Sequence, residues 1–156
     1  MHIYNKKRHK ELVKHAIDLK NQGKSFIDEN REDYFELGRY DDEVAEQITW
    51  AYREEFVKTI KDFLTKNIDF DEFDSTFSAL YWRTIRENKL FKRDLKQIEK
   101  FEPSTRPERF NRVIYGIYRT LEAVEDEYTS EQEAMNYVKE TCLRYKVFND
   151  EVDIWT

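Results

Sequence analysis

The chain has 156 residues, which is long enough for one domain to bury about 70% of its unfolded surface without cross-links or metals. Its formal net charge of -6 and pI near 5.3 argue against general nucleic-acid binding, since that affinity comes mainly from neutralising phosphates, and favour a basic partner. The single cysteine, Cys142, excludes an internal disulfide, and the sequence has no apolar run of about 18 residues that could cross a membrane.

The N-terminal segment predicts an intracellular location. It carries Lys6, Lys7, Arg8 and Lys10 but no apolar stretch of the kind that a secretory signal needs. Together with the single cysteine, this favours a soluble protein of a reducing compartment, either the cytoplasm or an organelle stroma.

The first part of the chain predicts one clear helix and one ambiguous segment. The helix should cover about residues 6–22, with Gly23 as its stop. Residues 25–38 are ambiguous, because a polar gap separates two groups of apolar residues, although a short helix starting at Ser25 fits the pattern.

The middle of the chain predicts two long helices. Asp41 or Asp42 should cap a helix that reaches about residue 66, since apolar residues recur inside it at three- and four-residue spacing. Residues 69–72 have the form of a capping box, so the next helix should start near Asp71.

The end of that helix is predicted to lead into further helical structure. A bend is expected around Asn88, after which residues 90–101 keep a helical rhythm until Pro103 ends it. Gly116, inside a later helical pattern, indicates that a neighbouring helix packs closely against it.

Two more helices complete the pattern. Ser104 or Thr105 can cap the first of them, with Pro107 in its first turn, and this helix should run to about residue 127. Residues 130–133 form a full capping box for the last helix. With no strand alternation and no internal repeat recognised, the sequence predicts an all-α, single-domain antiparallel helical bundle of about five to six helices.

The sequence lacks the residues of several common catalytic centres, and its 33 acidic residues leave only paired carboxylates for acid–base catalysis open. Three histidines near the N-terminus and one cysteine cannot supply a di-iron or an ordinary zinc site. Three glycines cannot build a phosphate-binding loop. We therefore expect no enzyme activity, no catalytic residues, no metal site and no cofactor.

The most distinctive feature is a run of carboxylates where one helix ends and the next begins. A helix C-terminus disfavours negative charge, so stability alone would not select this run. We expect it to meet a basic protein surface, with Tyr128 as an aromatic anchor. The predicted partner-binding residues are Glu122, Glu125, Asp126, Glu127, Tyr128, Glu131 and Glu133. A secondary acidic group consists of Asp69, Asp71, Glu72 and Asp74.

Residues 63–144 contain motifs that resemble a known family. The segment 63–73 (FLTKNIDFDEF), followed by Phe77 and by Leu80-Tyr81, resembles the opening of the colicin D immunity family. The helix over residues 110–127 with its acidic end, followed by Ser130-Glu131-Gln132-Glu133, is similar to the family's later part. The basic insert at 83–109 and residues 1–62 depart from that pattern.

The resemblance implies a small helical bundle that neutralises a tRNA-cleaving toxin by covering its basic active-site cleft. The sequence as a whole predicts a division of the chain into three parts. Residues 1–40 would be an N-terminal helical extension, residues 41–146 the bundle core that resembles an immunity domain, and residues 147–156 a C-terminal tail.

Two other functions stay open. Residues 83–112 hold ten Lys or Arg against five acids and could form a nucleic-acid-binding face. The protein could also be a structural subunit of a larger assembly, with Trp155 and other surface aromatics as docking points.

Overall fold

A computed structural model describes residues 3–92, 94–102 and 107–144. Within these residues the regular structure is entirely α-helical, which confirms the all-α prediction. Eight helices occur there, more than the five to six expected. No helix in the described residues is long and apolar enough to cross a membrane. The helices are α1 (Lys6–Asn21), α2 (Phe26–Glu29), α3 (Arg31–Ala51), α4 (Arg53–Leu64), α5 (Phe70–Phe91), α6 (Leu95–Lys100), α7 (Pro107–Glu125) and α8 (Glu131–Arg144).

The contacts divide the chain into two units. Unit 1 comprises residues 1–48 and 85–104, and unit 2 comprises residues 49–84 and 105–156. In this grouping residues 41–48 belong with the N-terminal helices, and the division predicted at residue 40 stays a prediction. The prediction of a tail over residues 147–156 lies outside the described residues.

Unit 1 has a small mixed core formed by α1, α3 and α6. Leu12 and Val13 of α1 pack with Leu37 of α3 and Ile98 of α6. His9 is also fully buried there and stacks on the Tyr40 ring, with 4.9 Å between the ring centroids. Burial disfavours the charged imidazole and lowers the pKa of His9 to about 4.

Unit 2 has a larger core made of two helical hairpins, α4–α5 and α7–α8. In the first hairpin, Phe63 stacks on Phe73 with 4.2 Å between ring centroids, and Phe56 meets Phe77 edge to face at 5.2 Å. Aliphatic residues dominate the buried face of the second hairpin. Those with 2% exposure or less are Val113, Ile114, Ile117, Leu121, Ala134 and Val138.

The long helix predicted from Asp41 or Asp42 to about residue 66 is wrong in its start and its continuity. The Asn30 side chain accepts the backbone N–H of Asp33 at 3.0 Å, so α3 starts ten residues before Asp41. The chain breaks at Tyr52, whose N–H donates to the Thr49 carbonyl at 3.1 Å, and α4 begins at the next residue.

The predicted bend near Asn88 is also misplaced. Helix α5 continues through Asn88 to Phe91, and α6 is a separate helix. The Asp94 carboxylate caps α6 by accepting the Lys96 N–H at 2.9 Å. Helix α7 starts at Pro107 as expected, whereas the stop proposed at Pro103 and the caps proposed at Ser104 or Thr105 lie outside the described residues.

Candidate protein-docking site

The acidic run lies on the turn between α7 and α8. Helix α7 ends at Glu125, two residues before the predicted end. Glu127 adopts a left-handed backbone with φ of 62°. Its N–H donates to the Val124 carbonyl at 3.0 Å, and the Tyr128 N–H donates to the Ala123 carbonyl at 2.8 Å. These two bonds close the helix end as a Schellman motif, in which glycine usually holds the left-handed position.

Besides Glu133, four of the predicted carboxylates are exposed on this turn and on the first turn of α8. They are Glu125, Asp126, Glu127 and Glu131. Within the described residues, none of the four forms an ion pair. Tyr128 stands among them with 86% of its surface exposed. The turn therefore presents negative charge together with an amphipathic ring.

Two other predicted residues have partners within the fold. Glu122 forms an ion pair with Arg119 at 2.7 Å. Glu133 completes the predicted capping box, because its N–H donates to Ser130 Oγ at 3.2 Å and its carboxylate accepts the Ser130 N–H at 3.1 Å. The Thr129 hydroxyl donates to the same carboxylate, and these bonds lower the pKa of Glu133. Glu122 and Glu133 thus stabilise the helix ends on either side of the turn, whereas the other four carboxylates remain unpaired within the described residues.

One groove lies between α7 and α8 beside the acidic turn. It has a volume of about 660 Å³, and Arg119 and the tyrosines Tyr115 and Tyr137 line it. A Cβ at Gly116 would lie 2.4 Å from the Tyr137 hydroxyl oxygen, which confirms that a neighbouring helix packs closely on this glycine. Tyr115 and Tyr137 are 51% and 40% exposed. Neither tyrosine was among the residues predicted from sequence, although Tyr115 lies outside the buried apolar stripe of α7.

A second groove lies on the other side of α8 and brings the two predicted acidic groups together. It has a volume of about 640 Å³ and is lined by Glu131 of α8 and by Asp69 and Glu72 of the α4–α5 hairpin. Apolar atoms of Phe70 and Met135 also line it. Asp71 and Asp74 are not part of this lining, and Asp74 accepts a hydrogen bond from Ser78 at 3.0 Å.

The turn between α4 and α5 has the same backbone construction as the acidic turn. Lys66 takes the left-handed position with φ of 60°. The Lys66 N–H donates to the Phe63 carbonyl and the Asn67 N–H to the Asp62 carbonyl, at 3.0 and 2.8 Å. Both loops have five residues, and equivalent positions are 61 residues apart, as Lys66 and Glu127 are.

The equivalence extends into the helices that flank the two turns. The Asp69 carboxylate caps α5 by accepting the Glu72 N–H at 2.9 Å, as Ser130 caps α8. Buried residues also correspond at the same separation. The pairs are Phe56 with Ile117, Ile60 with Leu121, Phe73 with Ala134 and Phe77 with Val138. This repeat was not predicted from sequence, because the two halves share few identical residues and only the apolar spacing and the capping boxes recur.

The basic segment at 83–112 is divided between the two units. The Arg83 guanidinium lies over the Tyr52 ring at 4.9 Å from its centroid, and Arg112 pairs with Glu108 at 2.5 Å, both in unit 2. Lys92 pairs with Asp41 at 3.6 Å in unit 1. Nucleic-acid binding by this segment stays a prediction, and Trp155, proposed as a docking residue, lies outside the described residues.

Comparisons of the chain with family models, with curated proteins and with solved structures found no match. The resemblance to the colicin D immunity family therefore stays a prediction based on the motifs given above. Within the part of the chain that the structure describes, no group of three or more His, Cys, Asp or Glu side chains is placed to hold a metal ion.

Proposed function

We propose that the α7–α8 turn docks onto a basic protein surface, and that the protein acts by masking that surface rather than by catalysis. In its specific form, the proposal is that the masked surface is the basic active-site cleft of a tRNA-cleaving toxin. The immunity-like motifs at 63–144 suggest this partner class.

The repeated turn carries the proposal. Thr65, Lys66 and Asn67 build the same five-residue loop with no carboxylate at these positions, so the backbone does not need Asp126 and Glu127. Their charges also face the negative end of α7, where each costs a few tenths of a kcal/mol. Residues that the fold neither needs nor favours are best explained by contact with another molecule.

The surroundings of the turn fit a protein partner. Concentrated negative potential raises the rate at which a basic surface arrives, and this advantage falls with salt. Tyr128, Tyr115 and Tyr137 offer partly exposed rings on which arginine or lysine side chains can pack. The two grooves beside α8 would accept side chains that project from the partner.

Exchanging the loop sequences tests the proposal while preserving the backbone. A variant with Asp126→Thr, Glu127→Lys and Tyr128→Asn carries the residues of the α4–α5 loop in the α7–α8 loop. We expect it to fold normally and to bind a colicin-type tRNase domain about tenfold or more weakly, with a matching loss of protection in a tRNA-cleavage assay.

Two matched controls locate the effect. Asp18→Thr together with Glu54→Lys changes the net charge by the same amount at two exposed carboxylates elsewhere and should leave most of the affinity intact. Calorimetry at low and high salt should show that the wild-type affinity falls with salt more steeply than that of the exchanged variant. The proposal fails if the exchanged variant protects tRNA as well as the wild type does. Its specific form fails if the wild-type protein neither binds nor inhibits the toxin domain.

A further inference from the structure

Unit 1 contains a large cavity that the proposed docking function does not use. It has a volume of about 960 Å³ and is lined by residues from the C-terminal end of α1, from α2 and from α3. This volume is in the range of small-molecule sites. Phe26, Tyr34 and Phe35 line it, and Tyr34 meets each of the other two rings edge to face, at 6.1 and 5.4 Å. Tyr34 and Phe35 are 43% and 51% exposed, so aromatic surface remains uncovered.

The charge of the cavity is opposite to that of the chain. Lys20, Lys24 and Arg39 line it, and none of them forms an ion pair within the described residues. Of the two lining carboxylates, Asp41 pairs with Lys92 at 3.6 Å, so Asp42 is left to balance three cations. An acidic protein that gathers unpaired cations around aromatic rings has a surface suited to an aromatic anion.

Helix stabilisation explains only part of this charge. Lys20 and Lys24 lie near the C-terminus of α1, where the helix dipole favours cations. The carbonyl groups there are already bonded, since the Lys24 N–H donates to the Leu19 carbonyl at 2.9 Å. Arg39 lies in the middle of α3, away from the ends where the dipole acts. Its charge helps to lower the pKa of Glu36, but that carboxylate already pairs with Arg8 at 2.8 Å.

Gly38 provides an independent indication of a ligand. A glycine inside a helix is destabilising relative to alanine, so each glycine in this chain calls for a reason. Gly23 has a φ of 68°, and Gly116 faces the Tyr137 hydroxyl. Gly38 has neither feature, because a Cβ there would meet nothing within 4 Å. It lines the cavity, and the missing side chain keeps that space open.

We propose that this cavity binds a small ligand that joins a planar ring to a phosphate group, as in a nucleoside monophosphate. The exposed rings of Tyr34 and Phe35 would pack on the planar part. The Arg39 guanidinium would donate bidentate hydrogen bonds to the phosphate, and the ammonium groups of Lys20 and Lys24 would contribute further positive charge. This site lies wholly in unit 1, so it does not depend on the proposed docking function.

Titration of the full-length protein with adenosine monophosphate tests the proposal, followed by calorimetry and by amide chemical shifts. We expect saturable binding, with shifts concentrated in residues 20–42. Arg39→Ala should weaken it about tenfold or more, as expected for loss of a charged hydrogen bond. Lys14→Ala is the control, since Lys14 is an exposed lysine of α1, the helix that carries Lys20, and does not line this cavity.

The Gly38 position and two partial ligands complete the test. Gly38→Leu should project a branched side chain into the cavity and weaken binding strongly, while the circular dichroism of the helices is retained. Gly38→Ala should raise the urea midpoint and weaken binding less. Adenosine and inorganic phosphate should each bind more weakly than the complete nucleotide. The proposal is overturned if adenosine monophosphate does not bind, if Gly38→Leu or Arg39→Ala binds it as well as the wild type, or if phosphate alone binds equally well.

Discussion

The α4–α5 and α7–α8 turns of unit 2 share one backbone and differ in chemistry. Each closes a helix with a Schellman motif, places a residue other than glycine in the left-handed region and starts the next helix with a capped first turn. The residues at the equivalent positions are Thr65, Lys66 and Asn67 in one turn and Asp126, Glu127 and Tyr128 in the other.

This difference separates what the fold requires from what it tolerates. The shared features are the hydrogen-bonded carbonyls, the caps and the buried positions, all of which contribute to stability. The charges are not shared. A lysine near a helix C-terminus is favourable and a glutamate is not, so the α4–α5 turn follows the electrostatic preference of its helix and the α7–α8 turn opposes it.

The largest expected effect comes from the equivalent core positions Phe77 and Val138, which are 0% and 1% exposed. We expect Phe77→Ala to lower the free energy of unfolding by about 4 kcal/mol and Val138→Ala by about 2 kcal/mol, because the first leaves the larger cavity. Urea unfolding measures both, with the exposed Thr76→Ala as a control. Equal losses of unfolding free energy at the two positions would contradict the view that the α4–α5 hairpin, with its phenylalanine core, contributes more stability than the α7–α8 hairpin.

A smaller effect tests the close approach that only the second hairpin has. Alanine at Gly116 gains about 1 kcal/mol of helix propensity, but its Cβ would force the Tyr137 hydroxyl to move. We therefore expect Gly116→Ala to change stability little in the wild type and to stabilise a Tyr137→Ala protein by about 1 kcal/mol. A double-mutant cycle by urea unfolding measures the coupling, and the absence of coupling would show that this contact has no energetic weight.

Local sequence rules predicted the parts of the fold that depend on neighbouring residues. The box at Ser130 and Glu133 and the cap at Asp69 form as expected, because each is complete within four residues. The helix start predicted at Asp41 was wrong because it depends on residues outside this local window. An aspartate followed by apolar periodicity looks like a helix start, but the Asn30 cap eleven residues earlier and the burial of Leu37 and Tyr40 place Asp41 inside α3.

The acidic residues of the candidate docking site and Tyr128 were predictable from sequence, whereas the rest of the site was not. Their position after an apolar stripe places them at a helix end from sequence alone. The exposure of Tyr115 and Tyr137 could not be predicted, because it depends on how α8 packs across Gly116. The meeting of Glu131 with Asp69 and Glu72 in one groove likewise depends on contacts between residues about 60 positions apart.

The smallest effect decides how the two turns should be understood. Because the left-handed positions are equivalent, Glu127→Lys should raise the free energy of unfolding by about 0.3–0.5 kcal/mol and Lys66→Glu should lower it by a similar amount. The protein carrying both changes should match the wild type in stability and lose affinity for a basic partner. Urea unfolding at low salt measures both changes in the free energy of unfolding, and both should become smaller at high salt. If Glu127→Lys instead destabilises the protein, the carboxylate supports the fold, and the main argument for a docking role of this turn is lost.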